Sequence, residues 1–323
     1  RFRNHSKLNL VVPDSPVLIY GENGCGKTNI LEAISLLNPG KGIRKSKAED
    51  YLFKDPLSGD DNQLWGVNAD LFTPNGIVNI GTGSKENSLN KSRNIRVNFE
   101  NSTQLTVGKI FKISWVTPQM CMLFQAGMSE KRRFIDRLTS ALDASHINRI
   151  FRYEKLLRER SNIILQFQNE TLWLETIEKQ IAELAVSIIA SRQNLIQLLN
   201  SLYEDELNSH SIIQDFPPVE IKVKGDIEDL LLKTSALNVE DSIKIDLKKL
   251  RSSGDLSFAG PHTSQIEIIN RKNNKKVEIS STGEQKLMLI SIILSHARML
   301  NIQFNMAPIL LLDDIVEHLD EKH

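Results

Sequence analysis

Short apolar runs bounded by turn-forming residues open the chain. Residues 8–12 and 17–20 form two such runs, and the second leads directly into a glycine-rich stretch. This pattern predicts two strands. From Thr28 onward, apolar positions recur at helical spacing until an Asn-Pro-Gly sequence at 38–40 interrupts them. We therefore expect a strand, a glycine loop and a helix in that order.

The middle of the chain changes from alternating to helical patterns. Between residues 64 and 116, short alternating segments separated by turn formers predict a small antiparallel sheet. Residues 145–207 predict two long helices with a polar break near residue 168. In the second helix, apolar residues from Ile177 to Leu202 step by threes and fours, as in a heptad seam. Paired antiparallel helices projecting from a body and an ordinary amphipathic core helix both fit.

The last third of the chain mixes strand and helix patterns. After a Pro-Pro boundary, residues 219–223 alternate as a strand, and residues 227–250 are mostly helical. The Asn-Asn pair at 273–274 separates two short strand patterns, which predicts a hairpin. A helix is expected over 283–300, and the apolar run 309–312 predicts a buried strand.

The composition is that of an ordinary globular protein. The 323 residues include 40 Lys and Arg and 40 Asp and Glu. This balanced composition excludes a disordered or collagen-like chain, and the length allows two or three domains. Uninterrupted apolar runs are only a few residues long, so neither a membrane-spanning segment nor a signal peptide is expected. The only cysteines, Cys25 and Cys121, lack metal-ligand or redox spacing, which suits a reducing compartment.

The balanced net charge conceals blocks of one sign. Basic residues concentrate at 41–47 and 244–251, whereas residues 200–240 are mainly acidic. Clustered Lys and Arg can contact a phosphate backbone without reading base sequence. Solvated surfaces explain such blocks as well, so both interpretations stay open.

The glycine-rich stretch at 21–28 carries the strongest chemical signal. Its sequence, Gly-Glu-Asn-Gly-Cys-Gly-Lys-Thr, fits G-x-x-x-x-G-K-[ST] between a predicted strand and a predicted helix. Glycines let backbone N–H groups surround phosphates, and the helix N-terminus adds partial positive charge. Lys27 would reach the β- and γ-phosphates, and Thr28 would ligate Mg²⁺. The alternative is a glycine-rich turn with a chance lysine.

Two carboxylates, Asp313 and Asp314, follow the apolar run at 309–312. A buried strand that ends in two acids is the pattern expected of a Walker B strand beside the phosphate loop. Asp313 would then hold Mg²⁺, and Asp314 would orient or deprotonate the attacking water. Acidic pairs are common in turns, so the assignment depends on the loop being present as well.

A further anion-binding helix end is predicted at 281–286. Its sequence, Ser-Thr-Gly-Glu-Gln-Lys, precedes a helix and taken alone is only a good N-cap. Together with the two preceding motifs, however, it resembles the signature of ABC-type ATPases, which lies shortly before the Walker B strand. In that family two subunits sandwich ATP, and the signature of one closes the site of the other.

Other segments narrow the resemblance to one branch. Residues 21–34, the arginine-rich turn at 129–136 and the Gly-Pro-His at 260–262 are similar to the RecF family, which is related to SMC proteins, and the similarity covers nearly the whole chain. It implies an α/β fold: an ABC-type P-loop ATPase head with an antiparallel β subdomain and a second, helical lobe. The implied domains are 1–140 (Walker A, β subdomain and Q-loop), 141–250 (helical lobe with paired long helices) and 251–323 (signature, Walker B and D-loop).

The resemblance also implies roles for individual residues. Those expected to contact the nucleotide are Gly21, Glu22, Asn23, Gly24, Cys25, Gly26, Lys27, Thr28, Asn29, Ser281, Gly283 and Glu284. Gln119 falls at the Q-loop position and is expected at the metal with Thr28 and Asp313. Asp314 and Gln119 are the expected catalytic residues. Leu319-Asp320 falls at the D-loop.

Two positions are less determined. Arg132 and Arg133 either contact nucleotide or stabilise the junction between lobes, and surface ion pairs explain them equally well. Thr263 follows Gly-Pro-His where many family members have arginine, which puts any role of that arginine in doubt. The resemblance further implies that the family continues beyond both ends of this sequence.

The resemblance implies a cytoplasmic, ATP- and Mg²⁺-dependent homodimer without a membrane partner. It would bind double-stranded DNA and single/double-strand junctions, act with RecR- and RecO-type mediators in replication and repair, and reset by slow ATP hydrolysis. The alternatives are other ABC-type ATPases, namely a transporter nucleotide-binding subunit or the ATPase of a defence system.

Overall fold

The computed structural model describes residues 1–53, 64–73, 76–84, 93–166, 171–207 and 216–314. They form two compact units. The first combines Arg1–Thr117 with the segment that begins at Met306, and the second is Pro118–Asn305. Both units contain helices and strands, in agreement with the expected α/β class. The three-part division at 140 and 250 stays a prediction.

The helices of the described residues are α1 (Lys27–Leu36), α2 (Gln104–Ile110), α3 (Pro118–Cys121), α4 (Met128–Leu142), α5 (His146–Gln166), α6 (Thr171–Leu207), α7 (Asp226–Leu231), α8 (Ala236–Ser252) and α9 (Thr282–Phe304). The strands are β1 (Gly66–Thr73), β2 (Gly76–Ser84), β3 (Arg93–Val97), β4 (Glu100–Asn101), β5 (Ile113–Val116), β6 (Val219–Lys224), β7 (Gln265–Asn270), β8 (Lys275–Lys276) and β9 (Ile309–Leu312).

In the first unit, β1 to β4 pair antiparallel in chain order. Strand alternation turns one face inward, and Ile80 of β2 is completely buried between its partners Ala69 and Val97. The antiparallel sheet predicted for this region is confirmed. β5, all of whose residues are buried, pairs in parallel with β9. The register of Val116 with Leu312 brings Asp313 to the carboxyl edge of this pair.

The strands predicted at residues 8–12 and 17–20 are not formed, which corrects the sequence analysis. Both runs are irregular, and all their large apolar side chains except that of Ile19 are exposed, Val11 completely and Leu18 by 83%. A strand exists only where its backbone N–H and C=O groups pair with a neighbour, and apolar alternation does not reveal a partner. Pro13 and Pro16 also remove two N–H donors between the runs. Irregular chain therefore precedes the glycine loop.

α6 is the central helix of the second unit. α5 and α8 pack against it, and Ile181, Ile188 and Leu195 of the predicted seam are buried. Ala185 and Ile189, which lie outside the seam, are buried as well. A two-position coiled-coil seam would leave these sides open. In the described residues, α6 is therefore a core helix rather than one arm of a projecting pair.

The end of the second unit matches its predicted elements. β6, β7 and β8 form an antiparallel sheet, and Asn274, with a φ of 53°, makes the turn that confirms the hairpin. α9 then begins at the N-cap Ser281. By length and composition α9 is apolar enough to cross a membrane, which the sequence analysis missed because polar residues interrupt it. However, 61% of its most apolar window is buried, as in the core helix of a water-soluble protein.

Candidate nucleotide-binding site

The glycine loop owes its shape to positive backbone angles. Gly24 has a φ of 86° and Gly26 a φ of 105°, in the left-handed region that favours glycine. Gly26 is also the N-cap of α1, and a Cβ atom there would lie 2.6 Å from side-chain atoms of both Asn4 and His5. The loop therefore requires glycine at residue 26 for backbone angle and for space.

Lys27 folds back over this loop. Its Nζ donates to the carbonyl oxygens of Gly21 at 2.7 Å and Glu22 at 2.9 Å. The ammonium group is exposed and bound only to these main-chain oxygens in the described residues. A cation so held beside the free N–H groups at the start of α1 creates positive potential suited to phosphate.

The tertiary structure brings Thr28 to Asp313 across 285 residues of sequence. Thr28 Oγ1 donates to Asp313 Oδ1 at 3.1 Å, because β9 ends beside the first turn of α1. A hydroxyl and a carboxylate are hard oxygen ligands of the kind that Mg²⁺ prefers when phosphates complete its shell. The described residues hold no cluster of three or more His, Cys, Asp or Glu side chains suited to a metal. The pair therefore fits a phosphate-bridged Mg²⁺ rather than an all-protein metal cage.

Asp313 lies in a mixed electrostatic environment. Burial has the largest effect on the pKa of Asp313 and raises it. The hydrogen bond from Thr28 lowers the pKa, and the negative charge of Asp314 raises it further. The positive charges of Arg44 and Lys27 also lower the pKa. Asp314 itself has a left-handed φ of 48°, a conformation that Asp and Asn tolerate better than most residues.

A polar network behind the loop was missed by the sequence analysis. Asn4 Nδ2 donates to Cys25 O at 3.2 Å, and Asn29 Nδ2 donates to Asn4 Oδ1 at 2.7 Å. Arg44 donates to Asn29 Oδ1 at 2.7 Å. The predicted contact residues Cys25 and Asn29 are thus held by hydrogen bonds with Asn4 and Arg44. The only sequence feature that pointed to this network was the polar and basic start of the chain. That segment has no periodic pattern, so it predicted no element and no contact.

Glu32 anchors the same network from below. Its carboxylate is completely buried, forms a two-point ion pair with Arg3 and lies 3.4 Å from Arg44 Nη1. A buried carboxylate requires such partners to offset its desolvation. Glu32 therefore fixes both arginines against α1.

The expected signature residues lie in the second unit. Ser281 Oγ accepts from Glu284 N at 3.2 Å, and Glu284 Oε2 accepts from Ser281 N at 2.8 Å, a reciprocal capping box. The backbone hydrogen bond from Ser281 lowers the pKa of Glu284. Apart from its chain neighbours and the backbone of its own helix, no atom of the described residues lies within 4 Å of a Cβ placed on Gly283. The helix end is thus well capped and open at Gly283.

The other residues singled out by the sequence, Gln119, Arg132 and Arg133, differ in exposure and in their hydrogen-bond and ion-pair partners. Gln119 is exposed in α3, next to the end of β5 in sequence. Arg133 forms a surface ion pair with Glu130, whereas Arg132 donates to Ser264 O at 2.9 Å. Leu319 and Asp320 lie outside the described residues.

The basic block at 244–251 is largely compensated by acidic neighbours. Lys244 lies 2.9 Å from Asp241, Lys249 lies 3.8 Å from Asp246, and Arg251 lies 3.6 Å from Glu178. These pairs reduce the local excess of positive charge. The solvated-surface interpretation of this block is therefore the stronger one.

Comparison with known proteins places the chain in a family. Residues 1–323 match the model of the RecF/RecN/SMC N terminal domain. The DNA replication and repair protein RecF of Mesorhizobium japonicum is 36% identical over an alignment of 323 positions, which covers 99% of this chain and 83% of that protein. RecF of Agrobacterium fabrum is 34% identical over 326 residues, with 99% and 84% covered.

A solved structure of the recombination mediator protein RecF-ATPrS in the RecFOR pathway has a similar fold. Its TM-score is 0.79 at 24% identity, with 99% of this chain and 84% of that chain covered. The structure with ATP has the same TM-score and 85% coverage of its own chain. The fold and the sequence relatives agree, and the chain belongs to the RecF family of DNA replication and repair proteins.

Proposed function

We propose that this protein is an ATP-dependent, DNA-binding recombination mediator of the RecF type. The observation that carries the proposal is the contact of Thr28 with Asp313 beside a glycine loop in left-handed conformation. The family relatives are named as DNA replication and repair proteins, and the solved RecF structures are named with ATP or ATPrS. These names support a nucleotide ligand and a role in DNA repair.

Each residue of the site has a chemical task in this proposal. Bound Mg²⁺ would neutralise charge on the β- and γ-phosphates. The Thr28 hydroxyl and the Asp313 carboxylate hold the metal, and Lys27 faces the phosphates as a fixed cation. Asp314 and Gln119 orient the attacking water. The main-chain N–H groups of residues 21–28 bind phosphate oxygens, and Asn29 supports the loop.

The second unit contributes the dimer contact in this proposal. Ser281, Gly283 and Glu284 close the ATP site of a second copy, so ATP binding favours the homodimer by mass action. The dimer binds double-stranded DNA at gaps and junctions with RecR- and RecO-type partners. Slow hydrolysis then releases it. A cytoplasmic location follows from this role, and the domain division at 140 and 250 belongs to the same proposal.

An ATP-dependent DNA-shift assay tests the function. Gapped duplex, intact duplex and single-stranded oligonucleotides are mixed with the protein in ATP, in ADP and without nucleotide. We expect a complex with gapped duplex that needs ATP, together with ATP hydrolysis that duplex DNA stimulates. Equal binding in all three nucleotide conditions, or hydrolysis indifferent to DNA, would contradict the proposal and favour another kind of ABC-type ATPase.

A further inference from the structure

The loop at 260–264, which follows α8 and precedes β7, is held by hydrogen bonds of its own side chains. Thr263 Oγ1 accepts from Gly260 N at 3.1 Å and donates to Gly260 O at 2.8 Å. Ser264 Oγ lies within hydrogen-bond distance of both Pro261 O and Glu228 Oε1. Thr263, which replaces the expected arginine, thus has a structural task in closing the loop.

A buried ion pair supports the loop from beneath. Arg192 of α6 binds both carboxylate oxygens of Asp136 at 2.7 and 2.9 Å and donates to Pro261 O at 2.6 Å. His146 lies 2.9 Å from the same carboxylate. With two carboxylate oxygens and a carbonyl as acceptors, the Arg192 charge is compensated inside the protein. The loop therefore rests on a rigid polar base.

His262 is one of two exposed residues of this loop, and its ring has a defined orientation. The hydroxyl of Tyr153, a buried residue of α5, lies 2.8 Å from His262 Nδ1. In the described residues, Nδ1 is the one hydrogen-bond partner of this hydroxyl. A buried hydroxyl needs an acceptor, so Tyr153 donates to Nδ1 and the ring proton resides on Nε2. A Cβ on Gly260 would lie 2.3 Å from the Tyr153 oxygen, so glycine is needed for this approach.

Arg132 provides a cation that binds the same loop. Its Nη1 donates to Ser264 O, and no carboxylate of the described residues forms an ion pair with it, in contrast to Arg133 and its partner Glu130. Partial burial and then the charges of Arg132 and Arg192 lower the pKa of His262. The ring is therefore a neutral donor in a loop that also binds the Arg132 guanidinium, whose other N–H groups have no partner among the described residues. The carboxylates of Asp136 and Glu228 lie beneath the loop and are already bound.

We propose that the loop at 260–264, with His262 Nε2 and Arg132 as its donors, is a binding site for a phosphate group. A neutral N–H and a half-buried guanidinium, both held by buried partners, match the tetrahedral oxygens of a phosphodiester or a nucleotide phosphate. If the ligand is DNA, this site is where the proposed function contacts the phosphate backbone, and that part of the proposal rests on the proposed function. The binding of a phosphate group at the site does not depend on the proposed function.

A direct test uses inorganic pyrophosphate and the full chain. The imidazole resonances of labelled histidine are recorded by NMR, with His262 assigned from the His262→Gln variant. We expect the His262 signal to move on titration in the wild type and in Arg133→Gln, a matched control that removes the same charge one residue away. The signal should stay fixed in Arg132→Gln. A His262 signal that ignores pyrophosphate in the wild type overturns the site, whether or not the protein binds DNA.

The source of the phosphate is decided by two further titrations. For duplex DNA in ATP, we expect Arg132→Gln to reduce the salt slope by about one, because one cationic contact is lost. His262→Gln should weaken binding about tenfold without changing the slope, because a neutral donor releases no counterion. If free nucleotide is the ligand, the same variants weaken binding of fluorescent ATP instead.

Two results in these titrations overturn the proposal. One is wild-type binding of both DNA and ATP by either Arg132→Gln or His262→Gln. The other is an equal loss in Arg133→Gln. Thermal unfolding checks that each variant folds. If Arg132→Gln does not fold, Tyr153→Phe keeps the buried ring and removes only the hydroxyl that orients His262, and it should weaken binding in the same titration as His262→Gln.

Discussion

At the scale of single residues, Lys27 is the cation of the candidate site. In the part of the chain that the structure describes, its Nζ binds only main-chain oxygens of the loop, so Lys27→Ala should leave the fold intact and lower ATP hydrolysis at least about a hundredfold. A phosphate-release assay measures ATP hydrolysis, and circular dichroism checks the fold. Lys109→Ala, which removes an exposed lysine of the same unit, is the control. Unchanged hydrolysis in Lys27→Ala would exclude the phosphate-loop assignment.

Asp314 permits a cleaner separation of binding from chemistry. Its left-handed φ of 48° suits Asn as well as Asp, so Asp314→Asn should keep the backbone and remove only the charge. We expect ATP to bind normally while hydrolysis falls about a hundredfold or more. Asp313→Asn should instead weaken Mg²⁺-dependent ATP binding, because its carboxylate contacts Thr28. Wild-type turnover by Asp314→Asn would remove Asp314 from the mechanism.

At the scale of elements, one buried ion pair joins α4 to α6. Asp136 and Arg192 are both almost fully buried, so Asp136→Asn leaves a guanidinium without its charge partner. The expected loss is about 3–5 kcal/mol of unfolding free energy. Asp246→Asn breaks an exposed pair with Lys249 and should cost less than about 1 kcal/mol. Denaturant unfolding of both variants measures the contrast, and equal losses would contradict this role of the pair.

The same pair has a defined pH dependence. Burial raises the pKa of Asp136, but hydrogen bonds from His146 and Arg192 together with their charges outweigh it, so the net shift is downward from 3.8. A lowered folded pKa means that the ionised carboxylate stabilises the protein above the unfolded value and loses this effect as pH falls through the folded one. The stability difference between wild type and Asp136→Asn should therefore narrow below about pH 4. A constant difference down to acid unfolding would contradict it.

At the scale of the whole molecule, the signature helix tests the dimer. Ser281→Arg puts a bulky side chain at the exposed end of α9, so each monomer should bind ATP but fail to associate. Because the change also removes the N-cap, Ser281→Ala is the matched control: it loses the cap at a cost of about 1 kcal/mol but keeps the space. Sedimentation in ATP should show a dimer for the wild type, a weaker dimer for Ser281→Ala, which loses the Ser281 hydroxyl, and no dimer for Ser281→Arg. A dimer of Ser281→Arg would contradict the proposed closure.

Local chemistry allowed the sequence to determine much of this protein. The glycine loop, the end of α1, the capping box of α9 and the hairpin turn at Asn274 depend on residues close together in sequence, so their spacing was sufficient. The order of the motifs along the chain likewise indicated the family from the sequence alone. The antiparallel sheet followed from alternation because β1 to β4 pair with their neighbours along the chain.

Features that depend on distant partners were decided only by the tertiary structure. Thr28 contacts Asp313 although 285 residues separate them in sequence, because β9 pairs in parallel with β5. A local sequence pattern carries no information about such a distant partner. The missing strands before the loop, the burial of α6 on several sides and the ion pairs of Glu32 and Asp136 have the same cause. Periodicity reports which face of an element is apolar, whereas pairing and burial depend on what the rest of the chain places against it.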